Sequence, residues 1–527
     1  MQILIIILVV ALFLFDENSL PDWVVRMQVD WPVWERAAVC ILDMTILVSV
    51  LFIIQSIVRR RLERLGRWKY IVIADRVSSY AMIVIVLVHI INIVLLNWLE
   101  IVRDVTGNLV LVDEIIALLP ALLAIVAVWI SRYPVARMVR EASLIGRLDR
   151  GEPVYPVWTR GQFVLSQIRL HFVLILLPVL LIIGWRELIE VIADGDSSIA
   201  PIFTGDISQL TALMFGTAVI FLFTPVMVRR LWDTHPLPTG ELRSRLLEMC
   251  RTHHIRIREL LVWNTFGSMI NGAVMGLVGR LRYILLTDAL LDALTPQQVE
   301  AVMAHELGHI RRKHLPALIL SILALLTMTG MGITAGVSIL ENEPIPQRSP
   351  SSQVDQEWSH IRDWYVQVTG GNLLDVLPSE PMMNTDYSDQ FEWVDSMILT
   401  ASLVLTLLIF GWVSRRFERQ ADTFAVQHLS GMLPDQENGQ LIPTGRIAPE
   451  ACAVMIRTLG IVAELNHISP RRRSWRHGSI AWRQRYLTSL IGKRADHLPI
   501  DRQIFIIKLV SLLVVVFSFS YFLWTEW

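Results

Sequence analysis

Nine apolar runs dominate this chain of 527 residues: 1–15, 37–58, 80–98, 115–130, 163–185, 209–228, 315–340, 396–413 and 504–524. A helix needs roughly 20 apolar residues to cross a bilayer, so most of these runs are long enough to span. Only 18% of residues are charged and mean hydropathy is +0.51. A soluble domain carries roughly 25% charged residues, so lipid is the natural cover for the apolar excess. Trp98, Trp185 and Trp524 stand at span ends, where indoles prefer the headgroup layer. Run 1–15 has no basic residue before it and no small-residue cleavage site, so it reads as a retained first span with 16–23 at the interface. Arg169 and His171 interrupt the fifth run, which moves its expected start towards Phe172.

The loops between the runs alternate in charge. Segments 59–76 and 132–160 are Arg-rich, 229 onward opens with Arg229 and Arg230, and 414 onward carries Arg415, Arg416 and Arg419. Loops 16–35, 187–206 and 341–395 are acidic, the last with eleven acidic residues against Arg348 and Arg362. The positive-inside rule then puts the N-terminus and the Arg-rich loops in the cytoplasm and the C-terminus outside. A net charge of −1 gives no basic surface for nucleic acid. Cys40, Cys250 and Cys452 are far apart and read as buried free thiols.

Two long cytoplasmic segments remain, 229–314 and 414–503, between the span regions 1–228, 315–413 and 504–527. In the first, 232–240 with Pro236 and Pro238 reads as a linker and 240–254 as an amphipathic helix. Segments 255–262 and 273–286 read as short strands, punctuated by Gly276 and Gly279. A helix follows with Thr295 as N-cap, Pro296 at its first position and Gln298 completing a capping box.

That helix carries His305-Glu306-Leu307-Gly308-His309. Residues four apart share a helix face, so His305 and His309 can offer two imidazole nitrogens to one ion. Zinc accepts nitrogen and carboxylate ligands around a tetrahedron and can keep one position open for water. Glu306, beside the same face, is placed to act as general base. His314 is off that face and reads as an interfacial residue; His253 and His254 read as surface residues, and Met269, Met275 and Met303 as core.

A third ligand is required. Glu418 and Asp422 follow the eighth run and share one face of a continuing helix. Glu418 could ligate while Asp422 accepts a hydrogen bond from the far nitrogen of a ligand histidine. The same spacing also suits an exposed charged helix held by pairs four residues apart, and spacing alone leaves both open.

Segments 282–291 and 298–302, the histidine helix, and the Glu418 to Phe424 motif together resemble the integral-membrane zinc metalloproteases of the M48 class. That class includes the CaaX prenyl proteases and relatives of the bacterial heat-shock membrane protease. The resemblance extends over 237–490. It implies one zinc per chain, with His305, His309 and Glu418 as ligands, Asp422 behind them and Glu306 as base. It also implies a substrate-binding edge strand at Asn271, Gly272 and Ala273, with glycine where the family has alanine at 272. His477 resembles the histidine that stabilises the oxyanion and Arg483 the arginine that supports the site, with Gly478 in place of proline. The other reading of that stretch is a basic loop near anionic lipid, with Arg471, Arg472, Arg473 and Arg476.

The expectation is a polytopic α-helical membrane protein of about nine spans with a small α/β zincin-type module on the cytoplasmic side. Its expected activity is zinc-dependent hydrolysis of peptide bonds in membrane-associated or lipid-anchored proteins. A transporter with an incidental HExxH, or a silent scaffold of the same fold, are the rival readings. The first would need ionisable residues along a path through the spans, where Asp43, Arg169 and His171 are sparse candidates.

Overall fold

In a computed structural model of the chain, the described residues are 2–14, 27–107, 109–149, 151, 154, 156–195, 203, 205–267, 269–342, 388–431, 445–466, 468–496 and 498–526. The expected interface at 16–23 and most of the acidic loop, 343–387, lie outside them.

The chain opens with helices α1 (Gln2–Leu14), α2 (Val33–Leu65), α3 (Lys69–Leu95), α4 (Trp98–Thr106) and α5 (Val112–Asp149). Next come α6 (Arg160–Ile168), a π-helical turn at Arg169–Val173, α7 (Leu174–Asp194) and α8 (Asp206–Leu231). Strand β1 (Thr234–Pro236), helix α9 (Glu241–Thr252), and strands β2 (Glu259–Trp263), β3 (Gly272–Met275) and β4 (Tyr283–Thr287) follow. Helices α10 (Asp288–Ala293), α11 (Pro296–Arg311), α12 (His314–Asn342), α13 (Ser388–Leu429), α14 (Pro449–Leu465), α15 (Ile480–Thr488) and α16 (Pro499–Glu526) complete the described chain.

Among the described residues, six helical stretches are long and apolar enough to cross a membrane: Val33–Leu65, Lys69–Leu95, Val112–Ala142, Arg160–Ala193, Ser208–Leu231 and Pro499–Tyr521. A seventh arises if the bent pair Pro296–Arg311 and His314–Thr329 counts as one. The helical stretch that carries the fifth apolar run starts at Arg160, and a π-helical turn takes it through Arg169 and His171. Helix α1 has 13 residues, about 20 Å at 1.5 Å per residue, short of the roughly 30 Å hydrocarbon layer. Its Ile5 and Leu8 are fully buried in the helical core with Ile85, Leu118 and Ile125. Gln55, on α2, donates to Ser78 Oγ and to Ala74 O of α3, both at 3.0 Å, the kind of polar contact that joins apolar helices.

The chain divides into two compact units. The first comprises Met1–Pro316 and Ser414–Gln503; the second comprises Ala317–Val413 and Ile504–Trp527. In the second unit, Ser321 and Ser511 share a hydrogen bond of 3.0 Å in otherwise apolar surroundings. Phe505, Phe517 and Phe519 stand exposed there on α16, as side chains facing lipid would.

The first unit holds a four-stranded sheet in the order β1-β2-β4-β3. Strands β2 and β4 are parallel, with Leu261 beside Leu285; β1 on β2 and β3 on β4 are antiparallel. Central β4 is buried along its whole length, so its residues read as a continuous apolar run rather than an alternation. Segment 273–286 holds parts of two strands, β3 and β4, on either side of Gly276 and Gly279. Gly276 turns the chain between them at φ +102, where a Cβ would meet Leu281 O at 2.6 Å. The linker 232–240 contributes β1, anchored by Trp232 stacked on Trp263 at 4.2 Å. Cys40, Cys250 and Cys452 are free and buried, as expected.

Candidate metal centre

Helix α11 begins as its sequence dictates. Thr295 accepts from Gln298 N, and the Gln298 side chain accepts from Thr295 N at 3.0 Å, closing the capping box. The buried face of the helix carries Val299, Met303, Ala304 and Leu307, and the same turns carry His305 and His309. Their Nε2 atoms face each other at 3.2 Å.

Glu418 comes from α13, which crosses α11 at Gly308. A Cβ at position 308 would lie 3.1 Å from Phe424 Cβ, 3.2 Å from Ala421 Cα and 3.3 Å from Ala421 O. Glycine here and alanine at 421 let the two backbones approach closely. Glu418 Oε2 then stands 3.7 Å from His305 Nε2, and Oε1 3.7 Å from His309 Nε2. Tetrahedral zinc with bonds of about 2.0–2.1 Å needs donor atoms about 3.3 Å apart. Two nitrogens and a carboxylate at 3.2–3.7 Å fit that ion with little movement. Among the described residues these three form the one such group able to hold a metal.

Behind each ligand stands a partner. His305 Nδ1 lies 3.0 Å from Asp422 Oδ1. Arg483 grips Asp422 with two hydrogen bonds, Nε to Oδ2 at 2.8 Å and Nη2 to Oδ1 at 2.6 Å, and its Nη1 is 3.2 Å from Glu418 Oε2. His309 Nδ1 meets His314 Nδ1 at 2.9 Å, and His314 Nε2 meets Gln420 Oε1 at 2.8 Å.

The charges follow from these contacts. Burial opposes ionisation of Glu418, but Arg483, then His477 and the ligand histidines, hold its carboxyl well below the usual range. Asp422 is likewise lowered against burial by Arg483 and His305. Burial opposes a charge on His305, yet Asp422 outweighs it and raises the imidazole above its ordinary value. Burial, reinforced by His305, takes His309 down to about 4. Both His309 and Glu418 are therefore already in their ligating protonation states at neutral pH. Glu306 is pushed up to about 7, first by burial and then by the Glu418 charge, against the pull of His305, His477 and Arg483.

Strand β3 is a sheet edge, and it runs over α11. A Cβ at Gly272 would lie 2.8 Å from Val302 Cγ1 and 3.6 Å from Glu306 Cγ, so glycine brings the strand close to Glu306. Asn271 N donates to Thr287 Oγ1 and Asn271 O accepts from Thr287 N, both at 3.1 Å. Alternation then turns the main-chain groups of Gly272 and Val274 to the open edge. Just upstream, Asn466 clamps Ile270: its Oδ1 accepts from Ile270 N at 3.0 Å and its Nδ2 donates to Ile270 O at 2.8 Å.

His477 Nδ1 lies 2.9 Å from Glu418 Oε1, with half the side chain exposed. Gly478 sits at φ +74, and a Cβ there would meet the Trp482 ring at 2.9 Å. Its N–H donates to Ser474 O at 3.1 Å. A left-handed φ and a used N–H both exclude proline, which accounts for glycine here.

Two sequence expectations are corrected. His314 is buried against His309, not interfacial. The α11 helix ends at Arg311, and Lys313 takes a left-handed φ of +52, so helical spacing does not continue to His314. His253 is buried, not on the surface: its Nε2 meets His428 Nδ1 at 2.9 Å and its ring packs on Phe424. Sequence reasoning also missed Gln420 and Asn466, single amides whose importance lies in contacts 106 and 196 residues away.

Residues 236–437 match Peptidase family M48. A stretch of 106 residues is 32% identical to a Protease HtpX homolog of Thermoplasma acidophilum, covering 19% of this chain and 33% of that protein. Another of 109 residues is 28% identical to a CAAX prenyl protease 1 homolog of Arabidopsis thaliana, covering 20% of this chain and 26% of that protein. The matches thus span a third or less of these curated relatives. The crystal structure of S. mikatae Ste24p superposes over 85% of this chain and 99% of that one, with 15% identity and a TM-score of 0.45. The histidine helix, the Glu418 helix segment and strands β2 to β4 all fall inside the matched stretch. Residues 236–437 of this chain are a domain of Peptidase family M48.

Proposed function

We propose that the chain is a multi-pass membrane zinc endopeptidase that cleaves membrane-associated or lipid-anchored polypeptides. The observation that carries this reading is the meeting of His305, His309 and Glu418 at tetrahedral distances, with Glu306 on the same helix beneath an open strand edge. One zinc held by those three residues would polarise a water and the scissile carbonyl.

The chain's own residues divide the remaining work. Gly272 and Val274 offer main-chain hydrogen bonds to an extended substrate, which adds to β3 as a further strand. Ile270 is already occupied by Asn466, so the ladder ends there. Glu306 takes the proton from the attacking water and returns it to the leaving amine. His477, half exposed beside Glu418, donates to the oxyanion as negative charge develops. Arg483 and Asp422 hold the charge balance around His305 and Glu418. The module would consist of 229–314 and 414–503, and the Arg-rich loops of the sequence support a cytoplasmic face for it. A site joined to spanning helices on that face favours substrates already held at the membrane.

The test is cleavage of a membrane-tethered polypeptide by the purified full chain. Wild type cleaves it, and Glu306→Gln retains zinc but does not. An equally active Glu306→Gln protein contradicts the proposal.

A further inference from the structure

The two ligand histidines are backed by different chemistry. His305 has a carboxylate behind it. His309 has instead a buried imidazole, His314, followed by the Gln420 amide and then Asp501, whose Oδ1 accepts from Gln420 Nε2. Direction along this chain of contacts is fixed from its far end. The Asp501 carboxylate can only accept, so the nitrogen of the Gln420 amide faces it and the amide oxygen faces His314. Arg312 Nη2 lies 3.7 Å from the same Asp501 oxygen.

Gln420 Oε1 likewise can only accept, so His314 carries its proton on Nε2 and a lone pair on Nδ1. His309 Nδ1–H donates to that lone pair at 2.9 Å. The result is an unprotonated Nε2 on His309, the atom that faces His305 Nε2 and Glu418 Oε1. The His314 ring has little freedom to turn. It is 3% exposed and lies parallel to Phe417 at 4.6 Å. Gln420 is also buried.

We propose that His314 is a positioning residue for the metal centre: held by Gln420 and Asp501, it fixes the tautomer and ring orientation of His309 so that Nε2 binds the ion. The inference rests on the zinc reading above. It differs from a histidine merely satisfied in the core, because only the acceptor at Nδ1 matters to the metal. Asparagine can place an amide oxygen near the position of Nδ1. Phenylalanine keeps the bulk and the stack on Phe417 but has no acceptor.

The test is the zinc dissociation constant of the detergent-solubilised full chain, measured by competition with a chelator. Losing an outer partner of a metal-bound histidine weakens affinity about 10–100-fold, and His314→Phe falls in that range. His314→Asn stays within about threefold of wild type, since the acceptor is retained. Gln420→Leu, which leaves every ligand in place, shifts affinity in the same direction as His314→Phe. Wild-type affinity in His314→Phe, or equal losses in His314→Asn and His314→Phe, would overturn the role of His314 while leaving the zinc site standing. A wild-type chain that binds no zinc would overturn the zinc reading, and the positioning role with it.

Discussion

Arg483 donates two parallel hydrogen bonds to Asp422, at 2.8 and 2.6 Å, in a place where Asp422 is fully buried and Arg483 nearly so. Its remaining nitrogen reaches Glu418 at 3.2 Å. One guanidinium thus balances two carboxylates that would otherwise repel each other beneath the histidines. Breaking a buried pair by removing one partner costs about 3–5 kcal/mol. Arg483→Met is therefore expected to lower stability by about that amount, read from denaturant unfolding of the metal-free protein. Arg483→Lys, a compact charge without the two-pronged geometry, recovers part of the loss.

The crossing at Gly308 gives a second expectation. A methyl group there meets backbone atoms of Ala421, which cannot rotate away. Gly308→Ala is expected to cost about 1–3 kcal/mol and to weaken zinc binding by moving Glu418 off the histidines. At Gly272 the nearest atom is a Val302 side-chain methyl, which can shift, so Gly272→Ala is the milder change. Thermal unfolding and zinc content of the two variants check the order; equal effects would contradict it.

Gly478 allows a test of a local departure from the family pattern. Gly478→Pro restores the residue the resemblance leads one to expect, yet φ is +74 and the N–H is bonded to Ser474. Proline fixes φ near −65° and costs about 3 kcal/mol or more where an N–H was in use. The variant is expected to displace His477 and lower kcat while His305, His309 and Glu418 keep their zinc. Unchanged turnover would separate His477 from the reaction.

Glu306 sets the expected pH dependence. A base must be unprotonated, and burial raises this carboxyl to about 7. Activity therefore falls as pH drops below that pKa, tenfold per pH unit for one proton. A bound dication beside the carboxylate lowers its pKa, so the acid limb of kcat/KM lies at or below about 7. A rate that rises on acidification through this range would contradict the assignment.

Much of this was legible in the sequence, for reasons of range. Six of the nine apolar runs form helices long and apolar enough to cross a membrane among the described residues, and α11 declares itself by Thr295, Pro296 and Gln298, whose contacts reach three residues. His305 and His309 follow from helical spacing. Spacing alone left Glu418 open between a ligand and an exposed charge, and only the resemblance singled it out; its approach to the histidines depends on Gly308 meeting Ala421 across two distant segments. His314 was misread because the helix was assumed to continue, whereas Lys313 reverses the sign of φ. His253 was misread because its partner, His428, lies 175 residues further on.

A zinc ion held jointly by α11 and α13 is the central claim, and elemental analysis of the purified full chain tests it most directly. Wild type is expected to carry one zinc per chain, and Glu418→Ala to lose it on dialysis, since two histidines alone leave too few donors. Full zinc occupancy in Glu418→Ala, or none in wild type, would contradict the three-ligand site.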